Sequence, residues 1–339
     1  VGLIAADNAN VNLTQNANFT SVNVGESIPV IVFAGISGAA AANYTVVQPS
    51  GLSANITSKS LTITGTTVAN KVYDGSTAAT VTAGTLVGLI SSDVANITFT
   101  KAASFSSANA ANAIAIVMNN SISGPAADNY TLTQPTSITA NISPKALTVT
   151  GTSIANKVYD GTTSAPISGG SLVGVVLGDT VALSQAANFS QSNAGTGLAV
   201  TVANTLTNNP DGNYTLTQPT GFTANITPAP ITVSIGSQTK EYDTTNIAIL
   251  TSGSSSNAGS YTLSGFVSGQ GAYITQINAT YNSANVADAS TVTASLSSAN
   301  FIATGNTNLS NYALPTSVSA VGVITPATLT MTANAAAKF

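Results

Sequence analysis

The charged groups whose types and spacing could do chemistry are three lysine–aspartate pairs: Lys71 with Asp74, Lys157 with Asp160, and Lys240 with Asp243. A core lysine beside an asparagine and a carboxylic acid can close an amide cross-link, and Lys157, Asp160 and Asn213 form one candidate set. In the other reading, the lysine ends an edge strand and discourages edge pairing, while the aspartate bonds its own backbone in a turn ahead of glycine. Recurrence favours the turn, since Asp7, Asp93 and Asp179 also return from unit to unit. Acid–base catalysis would need paired carboxyls held at set separations in a cleft. Calcium would need roughly six to eight oxygen ligands, and the sequence has no dense acidic loop. No catalytic residue, metal site or cofactor is expected.

Composition narrows the classes further. The 339 residues include no His, Cys, Trp or Arg, and charged residues make up 5%, against roughly a quarter in an ordinary soluble domain. Imidazole bases, thiolate nucleophiles and guanidinium phosphate clamps are therefore missing, and the chain reads as a non-enzyme. A net charge of −4 with no basic patch argues against nucleic acid as a partner. Apolar stretches such as Ile28–Ala34 and Leu172–Leu177 are short beside the roughly 20 residues of a membrane helix, so no membrane span is expected. A hydrophobic share of 43% argues against disorder.

The elements that must position these groups are repeats. Ala69-Asn70-Lys71-Val72-Tyr73-Asp74-Gly75 returns as Ala155-Asn156-Lys157-Val158-Tyr159-Asp160-Gly161, and more weakly as Lys240-Glu241-Tyr242-Asp243-Thr244. The tyrosines are spaced 86 and 83 residues apart. A second anchor contains Asn-Tyr at Tyr44, Tyr130, Tyr214 and Tyr312, followed in two copies by Thr-Leu-Thr-Gln-Pro. A third reads Ala-Asn-Ile at Ala54, Ala140 and Ala224, and Val-Ile-Thr-Pro at 323–326. The expected organisation is an incomplete first repeat at 1–58 lacking its opening strands, a second at 59–144, a third at 145–229 and a diverged fourth at 230–326. Residues 327–339 resemble the run Ala146–Thr150, and Lys338 falls near the place held by Lys71 and Lys157. This tail is either the opening strand of a next repeat in a longer array or a strand donated to the first repeat of a neighbouring copy.

Period-2 alternation in Leu147-Thr148-Val149-Thr150 and Tyr214-Thr215-Leu216-Thr217 predicts antiparallel strands with one buried and one wet face. Gly, Asn, Asp and Pro punctuate every few residues, and no long run has helical spacing. The expected fold is all-β: tandem immunoglobulin-like β-sandwich repeats, end to end. Tyr44, Tyr130, Tyr214 and Tyr312 are candidate tyrosine corners, whose hydroxyl bonds back to nearby backbone. Asn129, Asn141, Asn213 and Asn225 head Asn-x-Ser/Thr sequons. Tyr261, Phe266, Tyr273 and Tyr281 are the aromatic cluster best suited to a sugar site.

Lys71–Gly75 and Lys157–Gly161, followed by the Asn-Tyr-Thr and Asn-Ile elements, resemble the bacterial surface repeats named for their Tyr-Asp-Gly motif. Such repeats occur in tandem in secreted proteins similar to filamentous-haemagglutinin-type adhesins. The resemblance is clear over roughly residues 1–230 and weaker in the fourth repeat, where Thr244 stands in place of glycine. It implies an extracellular, cell-surface location. The first expectation is a non-catalytic structural fibre component whose partner is itself, as a homopolymer or a continuing array. The second is an adhesin stalk or binding module for a glycan or host-surface ligand.

Overall fold

The computed structural model describes residues 2–333. By mutual contact the chain divides into two compact units. The first holds Val1–Ala146 together with Val176–Gly178 and Asn209–Thr215; the second holds Leu147–Val175, Asp179–Asn208 and Leu216–Phe339. Two short segments of the third repeat thus belong to the first unit.

The second repeat shows the architecture. Its opening strand, Lys59–Val68, pairs antiparallel with Val81–Val87. A five-stranded sheet runs in the order Lys71–Val72, Thr139–Ser143, Ala111–Met118, Ala103–Phe105 and Ala78–Ala79. The result is all-β and sandwich-like. Leu61 and Ile63 point inward while Thr62 and Thr64 face water, as alternation requires. Leu61 packs with Ala126 and Tyr130, backed by Leu86, Leu89, Ile97, Ile122 and Leu132. In the third repeat, Leu147 and Val149 are buried and Thr148 and Thr150 exposed.

The antiparallel expectation holds for most strand pairs and fails at the opening strands. Lys59–Leu61 run parallel to Tyr130–Leu132, and Lys71–Val72 run parallel to Ile142–Ser143. The same parallel pairing joins Lys157–Val158 to Ile226–Thr227 and Gln238–Glu241 to Gly322–Thr325. Parallel neighbours need a long crossover, and here most of a repeat intervenes. The second, third and fourth repeats are therefore each closed by parallel pairing between an early and a late strand.

The recurrent polar residues of the strand anchors hold irregular backbone. Asn55, Asn141 and Asn225 accept from the amides of Ser27, Ala113 and Gly197 at 2.8 Å each. These amides belong to β-bulges whose residues have φ of 51, 52 and 61°. Gln134 and Gln218 place a side-chain amide against the backbone of Asn120 and Asn204, donating to each carbonyl at 2.7 Å. Four of the sequon asparagines, Asn129, Asn141, Asn213 and Asn225, are thus hydrogen-bonded structural groups.

The first repeat consists of Asn12–Phe19, Gly25–Ser37 and Ser53–Ile56, in that order in one sheet. The place that the opening strand fills in later repeats is here a groove of about 540 Å³, lined among others by Leu3, Val11, Leu13, Ile36, Tyr44 and Val46. The fourth repeat builds its core on Tyr261, Tyr281, Phe301 and Ile274. That corrects the expected aromatic sugar site. Tyr261 and Tyr281 are core residues, Phe266 packs edge-on against Tyr312 at 4.8 Å, and Tyr273 is half-buried in a strand facing Ile302. Alternation turned Tyr261 and Tyr281 inward, which the number of rings alone did not reveal.

The tail is not a strand over its described part. Residues 327–333 lack strand pairing, although the Thr328 amide donates to Glu241 Oε1 at 3.0 Å. Lys338 and the rest of 334–339 lie outside the described residues.

Candidate functional site

Each Lys-x-x-Asp pair is a closed clip. Lys71 lies on the edge strand Lys71–Val72, and its side chain folds onto the turn that follows. Its Nζ donates to Asp74 Oδ1 at 2.7 Å and to the Ser76 carbonyl at 2.6 Å. Asp74 Oδ1 also accepts from the Ser76 amide at 2.8 Å. Lys157 with Asp160 and Thr162, and Lys240 with Asp243 and Thr245, repeat this geometry. The ammonium lies 5.5, 5.7 and 5.6 Å from the ring centroids of Phe105, Phe189 and Tyr281, within cation–π range. The aspartates cap turns, as recurrence suggested. The lysines are on edge strands, but their amines are turned inward to the clip.

The candidate cross-link is not assembled. Lys157 Nζ is committed to Asp160 and Thr162, while Asn213 bonds to Ala110 and Asn109. Nothing in the sequence distinguished an asparagine aimed at a lysine from one aimed at another repeat.

The clips carry a pH dependence. Hydrogen bonds from Lys71 and from the Ser76 amide lower Asp74 to about 2. The corresponding bonds from Lys240 and Thr245 lower Asp243 to about 2. At Asp160 burial pushes upward, but Lys157 and Thr162 together outweigh it and the net shift is down. A carboxyl depressed in the folded state stabilises above its unfolded value, near 4, and loses that contribution as pH falls. Thermal stability is expected to fall between about pH 4 and pH 2. Converting Asp74, Asp160 and Asp243 together to Asn should lower the melting temperature at pH 7 and flatten this acid slope.

The tyrosines Tyr44, Tyr130, Tyr214 and Tyr312 use their hydroxyls differently from a corner. Each accepts from a backbone amide far upstream: Ile4 at 3.2 Å, Ile90 at 3.3 Å, Val176 at 2.9 Å and Val267 at 3.1 Å. Tyr44 donates to the recurring Asp7 at 2.8 Å, and Tyr130 donates to Asp93 at 2.6 Å. Asp7 and Asp93 therefore serve as tyrosine acceptors, which corrects their reading as turn caps. Burial and the neighbouring Asp93 carboxylate raise the Tyr130 hydroxyl above its ordinary value, so it stays a donor at neutral pH.

These clips and corners meet where repeats join. Tyr73 packs edge-on against Tyr214 with centroids 5.3 Å apart, and Tyr159 against Tyr312 at 5.4 Å. Gly75 and Gly161 have φ of 77 and 79°, a left-handed conformation suited to glycine. A Cβ on Gly75 would stand 3.0 Å from Val176 Cγ1, and one on Gly161 3.2 Å from Val267 Cγ1. The glycine thus serves the turn and the neighbour at once. In the fourth repeat Thr244 adopts φ 68°, costly for a β-branched residue. Thr244→Gly is expected to stabilise this turn by about 1 kcal/mol, read as a rise in the denaturant midpoint.

An asparagine contact is made at three joints, two of which also hold the tyrosine pair. The Asn of the Asn-Tyr element reaches the preceding repeat: Asn129 Oδ1 accepts from the Val24 amide at 2.9 Å, Asn213 from Ala110 at 2.7 Å and Asn311 from Ala194 at 2.9 Å. Their Nδ2 groups donate to the Oδ1 atoms of Asn23, Asn109 and Asn193 at 3.1, 3.2 and 3.0 Å. Asn23, Asn109 and Asn193 were missed in the sequence. The signal was Asn followed by Val or Ala just ahead of a strand, returning about once per repeat.

Fold and joints define an all-β tandem-repeat protein in which the Tyr-Asp-Gly turn of one repeat seats the Asn-Tyr corner of the next. The YDG domain profile matches residues 57–138 and 143–221, two tandem stretches similar to that domain. No curated protein and no solved structure matches the chain. Among the described residues no helix is long and apolar enough to cross a membrane.

Proposed function

We propose that this chain is a non-catalytic structural component of an extracellular bacterial surface fibre, assembled head to tail by strand complementation. One observation carries the reading. Leu61 and Leu147, the inward residues of two opening strands, are 0% exposed, whereas Leu329 and Met331 in the tail are 88% and 89% exposed. The first repeat offers the matching groove, whose lining residues Leu3, Val11, Ile36, Tyr44 and Val46 take the places of Leu89, Ile97, Ile122, Tyr130 and Leu132 around Leu61. Strand addition to an open sheet edge is an established recognition mode, and a head-to-tail contact of this type propagates. Low charge weakens repulsion between copies, in keeping with a packed fibre. The extracellular setting is supported by the two YDG-like stretches and their resemblance to surface repeats. The adhesin alternative loses its best candidate site, since the fourth-repeat aromatics serve the core and a joint.

Leu329→Asp tests the reading, because a carboxylate in the groove is strongly disfavoured. Sedimentation velocity should show large assemblies of the parent chain at high concentration and monomers of the variant. Equal assembly by both would refute strand complementation.

A further inference from the structure

The three joints within the chain share the asparagine contacts, two of them add the tyrosine pair, and both halves of a further set stand open. On the fourth repeat, Ser283-Ala284-Asn285-Val286 matches Ser107-Ala108-Asn109-Ala110. The local fold is the same, since Ser283 Oγ accepts from the Asn285 amide at 3.0 Å and Ser107 Oγ from the Asn109 amide at 3.1 Å. The Val286 amide, whose counterparts at Val24, Ala110 and Ala194 each donate to a following asparagine, has no acceptor among the described residues. Asn285 uses its Nδ2 on Asp288 at 3.3 Å, which leaves Oδ1 for an incoming amide. Beside it Tyr242 is 40% exposed, against 6% for Tyr73 and Tyr159.

The complementary half lies on the first repeat. Asn43 is exposed and its side chain makes no hydrogen bond among the described residues, whereas its counterpart Asn311 is buried. Tyr44 stands on the same corner, held by Ile4 and Asp7. Ile4 is exposed, while its counterparts Val176 and Val267, each set against a glycine of the preceding turn, are half-buried.

We infer that the Tyr242–Thr244 turn and the Ser283–Val286 loop of the fourth repeat are a docking surface for the Asn43–Tyr44 corner of a second copy of this chain. In that joint Asn43 Oδ1 accepts from the Val286 amide and Asn43 Nδ2 donates to Asn285 Oδ1. Tyr44 meets Tyr242 edge-on, and Ile4 covers Thr244. The occupant follows from continuity with the existing joints, since the asparagine contacts seen at three of them and the tyrosine pair seen at two have counterparts on these two faces. The inference rests on the fibre reading and adds to it a second contact, which sets the angle and register that a lone docked strand leaves loose. Thr244 in place of glycine is a departure at this turn, and the joint must seat its Cβ beside Ile4.

The test uses Asn43→Ala and Asn285→Ala in the full chain, with Leu329→Asp alongside. Asn43 is exposed, so its removal should leave the melting temperature of unassembled chain unchanged. Each asparagine variant should raise the concentration at which assembly begins by about tenfold, the effect of one or two lost hydrogen bonds. The absence of native cysteine permits a second readout. Chains carrying Asn43→Cys, mixed with chains carrying Asn285→Cys and a short thiol–thiol cross-linker, should give a covalent dimer, as Asn109→Cys with Asn213→Cys should link within one chain. Unchanged assembly of both alanine variants, with Leu329→Asp monomeric, would overturn the docking surface and leave strand complementation standing. A parent chain that never assembles, with no link between positions 43 and 285, would overturn both.

Discussion

Tyr159→Ala is expected to cost about 3–5 kcal/mol and to split one cooperative melting transition of the third and fourth repeats into two. Tyr159 belongs to a core that crosses the joint. Phe189, Val200 and Ile226 of the third repeat and Ile231 and Tyr312 of the fourth are buried in one cluster with it. Its ring lies edge-on to Tyr312, and its hydroxyl accepts from Gln270 Nε2 at 2.9 Å. In tandem repeats the interface terms make neighbours melt together, so emptying this position removes packing and coupling at once. Tyr242→Ala is the control, because the same motif position is exposed at the fourth repeat and should cost less than about 1 kcal/mol. Differential scanning calorimetry reads both. Equal losses from the two substitutions would mean that the motif tyrosine serves its own repeat only and that the joint is incidental.

Leu61→Ala should destabilise the second repeat by about 2–5 kcal/mol. Leu61 is wholly buried among Ala126, Tyr130, Ile97 and Ile122, on a strand that pairs antiparallel on one side and parallel on the other. Such a side chain has no room to relax toward solvent, and the cavity left behind keeps most of its cost. Leu329→Ala, at the corresponding place in the tail, should change the stability of unassembled chain by less than about 0.5 kcal/mol. Urea unfolding followed by circular dichroism gives both numbers. A cost for Leu61→Ala below about 1 kcal/mol would show that opening strands are dispensable. The groove of the first repeat would then have no energetic reason to be filled.

Much of this architecture was legible because it repeats. Alternation in Leu147–Thr150 identified an inward and an outward face, and the side chains lie accordingly. The Asp74 and Asp160 turns were readable from Asp-Gly, since short side chains that bond local backbone have few other uses ahead of a left-handed glycine. Parallel closure at Lys59 and Lys71 was not readable, for strand direction depends on which distant segment arrives. Nor was the fate of Asp7 and Asp93. A carboxylate in a turn and one accepting from a tyrosine about 40 residues away look alike in sequence. The joints were legible only by halves. Asn129 and Asn213 stood out within the Asn-Tyr anchors, whereas Asn23 and Asn109 sit in small-residue loops without a motif of their own. Their pairing is a property of two repeats together, which no single repeat spells out. The aromatic cluster of the fourth repeat misled for a related reason: aromatic content marks a sugar site only when rings face outward, and Tyr261 and Tyr281 face the core.

In the proposed fibre, the 327–333 segment of one copy fills the first-repeat groove of another. Electron microscopy of the purified chain across a concentration series tests it most directly. Uniform filaments should appear above a threshold concentration, with an axial period of one four-repeat chain and a strand from the neighbouring copy in the groove beside Leu3 and Tyr44. Short isolated rods at every concentration would contradict it.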